Sequence, residues 1–232
     1  MIRTLQPELL DHLPAHDPRA IRSRRDLQRV NSWMGNARFL ARALTSFLPV
    51  RHERILELGA GDGTFLLQVA KRLGTSSCPR TVFLLDRQDL VSTADRAQFR
   101  HLGWQVETIT SDVFDWLRSE GNFRQDAIVT NLFLHHFSDQ QLAELFEVLQ
   151  RRTSLFIAVE PRRSSLAFLA GKLLWAIGCS FVTRHDAIVS IRAGFSGHEL
   201  SALWHGMDSW TCEERPAGFT SHLFVARKIA SK

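Results

Sequence analysis

The chain has 232 residues, 44% of them hydrophobic and 23% charged, and a formal net charge of +5. That length suits one large domain with a full core, and the sequence lacks the run of about eighteen apolar residues that a membrane span needs. The excess charge is almost wholly arginine, spread along the chain and interleaved with acids. It therefore reads first as a solvated surface, and only second as a nucleic-acid footprint.

The opening stretch, MIRTLQPELLDHLPAHD, lacks the apolar core of a secretory signal. The three cysteines, Cys78, Cys179 and Cys212, have neither metal-ligand spacing nor an even count to pair. That suits a reducing compartment, and a cytoplasmic location is expected. Over residues 18–48, Ile21, Leu27, Val30, Trp33, Met34, Leu40, Leu44 and Phe47 recur at mostly helical spacing and predict one or two amphipathic helices ended by Pro49.

From Arg54 the rhythm is strand, turn, helix. RILEL (54–58), TVFLL (81–85), WQVETIT (104–110), AIVTN (127–131) and SLFIAVE (154–160) are predicted strands. Helices are predicted over 64–73, stopped by Gly74, over 91–102, over 113–118, and over 139–150, the last opened by a capping box of Ser138 and Gln141. Strands alternating with helices mean crossover connections and a mainly parallel sheet. After Glu160 a longer segment, 162–190, is helical at best. Ser196 and Glu199 suggest a second capping box, and 207–213 with 222–227 suggest an antiparallel pair. The expected fold is α/β and Rossmann-like: a doubly wound, mostly parallel seven-stranded sheet with a C-terminal antiparallel hairpin.

Within ILELGAGDGTF (55–65), Gly59, Gly61 and Gly63 follow a strand and open a helix. The dinucleotide fingerprint wants its third glycine where Thr64 stands. An acid, Glu57, lies two residues before the first glycine, and a carboxylate is a poor neighbour for a diphosphate but a good one for an ammonium or hydroxyls. The pattern thus points to a nucleoside-like ligand with a cationic or zwitterionic end. Asp86 ends the second strand, where an acid can take both ribose hydroxyls. Asp112 follows the third, where its carboxylate or the Val113 N–H can read an adenine edge, or where it simply caps the next helix.

Taken together, ELGAGDG (57–63), LLD (84–86), SD (111–112) and NLFLHHF (131–137) resemble the ordered motifs of class I S-adenosylmethionine-dependent methyltransferases, over roughly residues 53–160. The resemblance implies that Glu57, Gly59, Ala60, Gly61 and Gly63 hold the methionine end of S-adenosyl-L-methionine. It implies likewise that Asp86 with Arg87 meets the ribose, Asp112 and Val113 the adenine, and that Asn131 lies near the methyl. It also implies domain bounds: an N-terminal helical lid over 1–50, then a methyltransferase domain over 51–232 with a substrate-lid insert at about 162–190.

Methyl transfer is an in-line displacement, so the protein must align the acceptor and, where needed, take its proton. His135 and His136 are the candidate catalytic residues, as bases. Quinone-ring O-methyltransferases, which the chain resembles here, carry EH or HH in this loop, and the first of the pair tends to face the methyl. The alternative reading of either histidine is a buried side chain packed on the next helix. NLFL is not the N-P-P-Y type of tetrad used for N-methylation, and the chain has no tyrosine to fill one. Four lysines do not assemble a ribose-methylating tetrad, and no Pro-Cys is present for attack on a pyrimidine. A small-molecule acceptor is expected, without nucleic acid.

The apolar insert suits an aromatic or lipid-like acceptor, with Arg162, Phe181, Arg184 and His185 as candidate contacts beside the alternative that these arginines are plain surface. A looser resemblance of QRVNSWMGNARFL (28–40) to bacterial small-molecule methyltransferases encoded near polyketide genes favours a secondary-metabolite acceptor. The expected activity is O-methylation of a small hydroxylated aromatic or polyketide-like molecule. The alternatives are an RNA or tRNA methyltransferase, using Arg19, Arg22, Arg24, Arg25 and Arg29, and a protein that binds the cofactor without transferring its methyl. No metal is expected.

Overall fold

Gly35, at φ 71°, breaks the N-terminal amphipathic pattern into two helices, α1 (Pro18–Met34) and α2 (Asn36–Phe47). A left-handed φ is what glycine tolerates and other residues resist. The computed structural model describes residues 1–14, 16–48, 53–75, 80–119 and 124–229; Pro49 and Cys78 lie outside them. The alternation then runs β1 (Glu53–Leu58), α3 (Thr64–Leu73), β2 (Arg80–Asp86), α4 (Thr93–His101), β3 (Trp104–Thr110), α5 (Val113–Arg118), β4 (Ala127–Asn131), α6 (Asp139–Arg152) and β5 (Leu155–Pro161). Three further helices, α7 (Ser165–Lys172), α8 (Phe181–Ala193) and α9 (Glu199–Leu203), precede the hairpin of β6 (Trp210–Ala217) and β7 (Ser221–Lys228).

The seven strands lie in the order β3-β2-β1-β4-β5-β7-β6. The first five are parallel, whereas β7 runs antiparallel to β5 and β6 antiparallel to β7. The order reverses between β1 and β4, and at such a switch point the carboxyl ends of the strands open a crevice. Register puts Leu58 opposite Thr130, and the Thr130 hydroxyl donates to the Leu58 carbonyl at 3.1 Å. Glu57 and Asn131 are thereby brought to one rim.

Alternation along the strands fills two cores. Ile55, Val129, Ile157 and Val225 face α2 and α3, through Leu40, Leu44, Leu66 and Val69. Leu56, Ile128, Phe156 and Phe224 face the other side with Leu145, Phe146 and Trp204. Helix α2 is therefore part of the layer that covers the sheet, because its apolar stripe has the sheet to bury against.

The capping box at Ser138 and Gln141 forms as expected. The one expected at Ser196 does not: α9 begins at Glu199 after His198. Arg163 instead pairs with the Glu199 carboxylate, which also accepts from the Ser196 N–H at 2.9 Å. The C-terminal strands are longer than the sequence suggests, because β6 is an edge strand that tolerates Pro216.

Candidate functional site

The loop after β1 is shaped by its glycines. Gly59, Gly61 and Gly63 have φ of 68°, 56° and 75°. A Cβ at Gly59 would come within 2.2 Å of the Phe133 ring, whereas one at Gly61 would meet nothing within 4 Å. The loop is thus sealed by an aromatic ring on one side and open at Gly61. Ala60 is buried, and its N–H donates to the Leu85 carbonyl at 3.0 Å, tying the loop to β2.

Glu57 is 1% exposed, and its Oε2 has no hydrogen-bond partner. Burial, then the charges of Asp62 and Asp86, hold its carboxyl well above the usual range. An unpartnered carboxyl beside two further acids is a socket for a cation.

Asp86 turns toward the same loop, accepting from the Gly61 N–H at 2.9 Å and the Gln88 N–H at 3.1 Å. Asp112 caps α5 through the Phe114 N–H at 2.8 Å, and its other oxygen takes Arg87 at 2.7 Å. The capping reading of Asp112 therefore holds in the structure. The Arg87 pair occupies its second oxygen, and burial is outweighed by these bonds so that it titrates below its ordinary range. Val113 is buried at the start of α5. Asn131, at the end of β4, accepts from Asn36 at 2.7 Å, and Asn36 accepts from Ser221 at 2.6 Å, which makes a buried chain from the rim through α2 to β7.

Past Asn131, Leu132 adopts φ 53°, a strained value for a side chain with a Cβ. What fixes the bend is Glu160, at the end of β5: one oxygen accepts the N–H groups of Phe133 and Leu134, both at 3.0 Å. Its other oxygen bonds Nδ1 of His135 at 2.9 Å. Nε2 of His135 lies 3.3 Å from Oε1 of Glu8, which the Ser190 hydroxyl also contacts. Both carboxylates offset the burial of His135, which by itself would lower its pKa, and raise it to about 9. His136 is partly exposed, 3.8 Å from Asp11, and burial followed by the charge on His135 lowers it to about 4.

Glu8 reaches this place because the first ten residues strap across α8. Arg3 donates to the carbonyls of Ala193 and Phe137 and stacks over Phe195 at 4.5 Å. Asp186 accepts the N–H groups of Leu9 and Leu10 at 2.8 and 3.0 Å.

Of the expected acceptor contacts, Phe181, Arg184 and His185 share α8, with the Phe181 and His185 rings 6.2 Å apart, whereas Arg162 follows β5. Phe181 is 66% exposed and faces solvent at the start of α8, since its neighbours Val182 and Thr183 take the inward positions. His185 is held to Asp186 at 2.9 Å, beside the strap. Arg184 keeps a buried Nε without a partner. Arg162 bridges to Phe195 through its backbone.

Glu8, Asn36 and Glu160 were not among the residues picked from sequence. Glu160 alone has a visible signal, an acid at the carboxyl end of an apolar strand like Glu57 and Asp86. Glu8 lies 127 residues from its partner in a stretch without periodicity.

Residues 55–154 match the family model described as a methyltransferase domain. The plantazolicin methyltransferase BpumL, solved in complex with SAH, superposes with a TM-score of 0.62 at 15% identity, covering 92% of each chain. An O-methyltransferase family protein from Burkholderia thailandensis gives 0.58 at 18% identity, over 94% of this chain and 62% of that one. Magnesium protoporphyrin IX methyltransferase (ChlM) from Synechocystis PCC 6803 with bound SAH gives 0.54 at 12%, over 95% and 91%. No curated protein matches the chain in sequence. By that match residues 55–154 are a methyltransferase domain, the chain shares the fold of the solved methyltransferases, and the acidic socket beneath an open glycine bend fits the sulfonium nucleoside S-adenosylmethionine.

Proposed function

We propose that this methyltransferase O-methylates a small hydroxylated aromatic or polyketide-like molecule, with His135 as the base. The observation that carries the reading is the Glu160–His135 pair, with Nδ1 fixed at 2.9 Å and Nε2 turned toward the Glu8 strap. A base oriented by a second group that is itself fixed by backbone N–H donors is the arrangement general-base catalysis requires. Glu8 occupies the position an acceptor hydroxyl would take at Nε2. An acceptor that displaces the Glu8 carboxylate removes one of the two charges holding the proton on His135 and so brings the imidazole toward its basic form.

When bound, the cofactor's sulfonium supplies an electrophilic methyl. Glu57 and the bend at 59–63 would hold its methionine end, Asp86 its ribose, and Asp112 with Val113 its adenine. Arg87 would position Asp112, and Asn131, steadied by Asn36, would border the methyl. The strap, α1 and α7–α8 cover the rim and exclude water. Of the chosen substrate contacts, His185 and Arg184 stay as candidates beside the strap. O-methyltransferases among the structural neighbours support the choice of oxygen.

The test is incubation with labelled S-adenosylmethionine and a panel of phenols, hydroxyquinones and alkylresorcinols, read by mass. Methyl ether formation that drops about a hundredfold or more in His135→Ala is expected. Labelled product on nitrogen or carbon only, or turnover unchanged in His135→Ala, overturns the proposal.

A further inference from the structure

Helix α7 faces the wrong way for a surface helix of a globular protein. Its small residues turn inward: Ala167 is buried, and a Cβ on Gly171 would meet Ile191 at 2.9 Å, so α7 lies close on α8. Its leucines turn outward. Leu166, Leu169 and Leu173, at i, i+3 and i+7 on one face, are 50%, 54% and 51% exposed, and the turn that follows adds Trp175 at 62%. Phe181, at the start of α8, is exposed as well.

Helix α1 is inverted in the same way. It buries Ala20, Ser23 and Asp26, and leaves Arg22, Arg25, Arg29 and Trp33 outside. The two inverted helices belong to one cap, because Asp26 accepts from the Ser180 N–H at 2.7 Å and from Thr183 at 3.1 Å on α8.

Charge is sorted as well. Residues 18–34 and 161–198 hold ten of the chain's 29 lysines and arginines but two of its 24 acids. Both acids, Asp26 and Asp186, are buried, at 3% and 2% exposure. These two segments therefore carry a net +8 and the rest of the chain −3. The interleaving of arginines with acids that the whole sequence suggests does not extend to this cap.

We propose that the cap formed by α1, α7 and α8 docks the enzyme onto an anionic phospholipid surface. Leucine and tryptophan beside a surplus of arginine, left after Arg19, Arg29 and Arg163 pair with Asp17, Asp26 and Glu199, are what the boundary between headgroups and acyl chains accepts. A second copy of the chain would bring the same positive charge against it, and like charges oppose that pairing. Exposed leucines on one helical face are equally out of place on a nucleic-acid groove, whose partners are phosphate-binding cations and stacking rings.

The experiment is cosedimentation of the full chain with vesicles of phosphatidylglycerol and phosphatidylcholine, against vesicles of phosphatidylcholine alone, at about 0.1 M salt. Pelleting with the anionic vesicles, weakened by raised salt, is expected. Leu169→Glu with Leu173→Glu lowers the vesicle affinity by about tenfold or more, while thermal unfolding and cofactor binding by calorimetry stay as in the wild type because both side chains are already exposed. Arg22→Gln with Arg25→Gln removes the preference for anionic over neutral lipid. Failure to pellet overturns the proposal, as does an affinity indifferent to the leucine changes. So does light scattering that shows a dimer broken by those changes, or structured RNA that displaces the vesicles at equal charge concentration.

Discussion

Replacing Glu8 by Gln removes one of the two charges that face His135 and keeps the side chain's size. In the wild type His135 is raised from 6.5 to about 9 against burial that would lower it, with Glu160 at 2.9 Å and Glu8 at 3.3 Å. A rise of that size corresponds to about 3 kcal/mol favouring the imidazolium in the fold. Glu160 is the nearer and more buried partner, so Glu8 supplies the lesser part, and Glu8→Gln lowers the midpoint by about one pH unit, or about 1.4 kcal/mol. Histidine-labelled protein, followed by proton–carbon NMR across the range, reads this midpoint directly and needs no acceptor. Because the folded pKa lies above the unfolded one, the stabilisation is complete below 6.5 and fades as pH rises through about 9. Urea midpoints should therefore fall over that window in the wild type and begin to fall earlier in Glu8→Gln. On the acid side Glu8 itself is lowered to about 2, with burial outweighed by its bond to His135; its contribution is present above 4.5 and lost as pH drops toward 2. Both shifts describe one contact and are not added. A wild-type His135 titrating near 6.5, or one unmoved by Glu8→Gln, refutes the reasoning.

Gly59→Ala places a Cβ at a left-handed φ and 2.2 Å from the Phe133 ring, and should cost about 2 kcal/mol or more in chemical unfolding together with most of the cofactor affinity. Burial, then the charges of Asp62 and Asp86, raise Glu57 well above the ordinary carboxyl range, so a cationic cofactor should pull it back down and release protons on binding over the window between the two. Calorimetry in buffers of different ionisation enthalpy measures that release, and Glu57→Gln should abolish it. Asn36→Ala strands the Asn131 carbonyl and the Ser221 hydroxyl inside the protein and should lower stability by about 2 kcal/mol in urea unfolding with an unchanged slope.

Period and punctuation made the sheet legible. The strand at 104–110 and the helix at 64–73 fall where the sequence places them, because an apolar run bounded by Gly103 and a helix bounded by Gly63 and Gly74 have one local solution each. The cap is a different matter. Residues 162–190 carry apolar side chains on every side, so periodicity cannot tell which face turns inward; the small residues Ala167 and Gly171 decide it, through a fit to Ile191 that exists only in three dimensions. In the site, residues one turn from a glycine or a strand end could be read from spacing. Glu8 could not, since its role arises from a strap whose Arg3, Thr4 and Leu9 are held by Ala193, Arg192 and Asp186, more than a hundred residues away.

The adjacent histidines show how one loop yields two opposite proton affinities. Their rings lie 4.3 Å apart, yet one is raised to about 9 and the other lowered to about 4. The difference comes from what the backbone lets each ring reach. Leu132, at φ 53°, turns the chain so that Phe133 and Leu134 give their N–H groups to Glu160, and that same carboxylate then faces His135 alone. His136 meets Asp11 only at 3.8 Å and feels the positive charge next to it. At neutral pH the pair therefore consists of an imidazolium and a neutral imidazole in contact, and environments that drive two titratable groups apart are how a site assigns acid and base roles. A proton taken from an acceptor needs a ring that is empty when the acceptor arrives. Displacement of Glu8 favours emptying His135, and emptying His135 removes the charge that, after burial, lowers His136, so the titrations of the two rings are coupled.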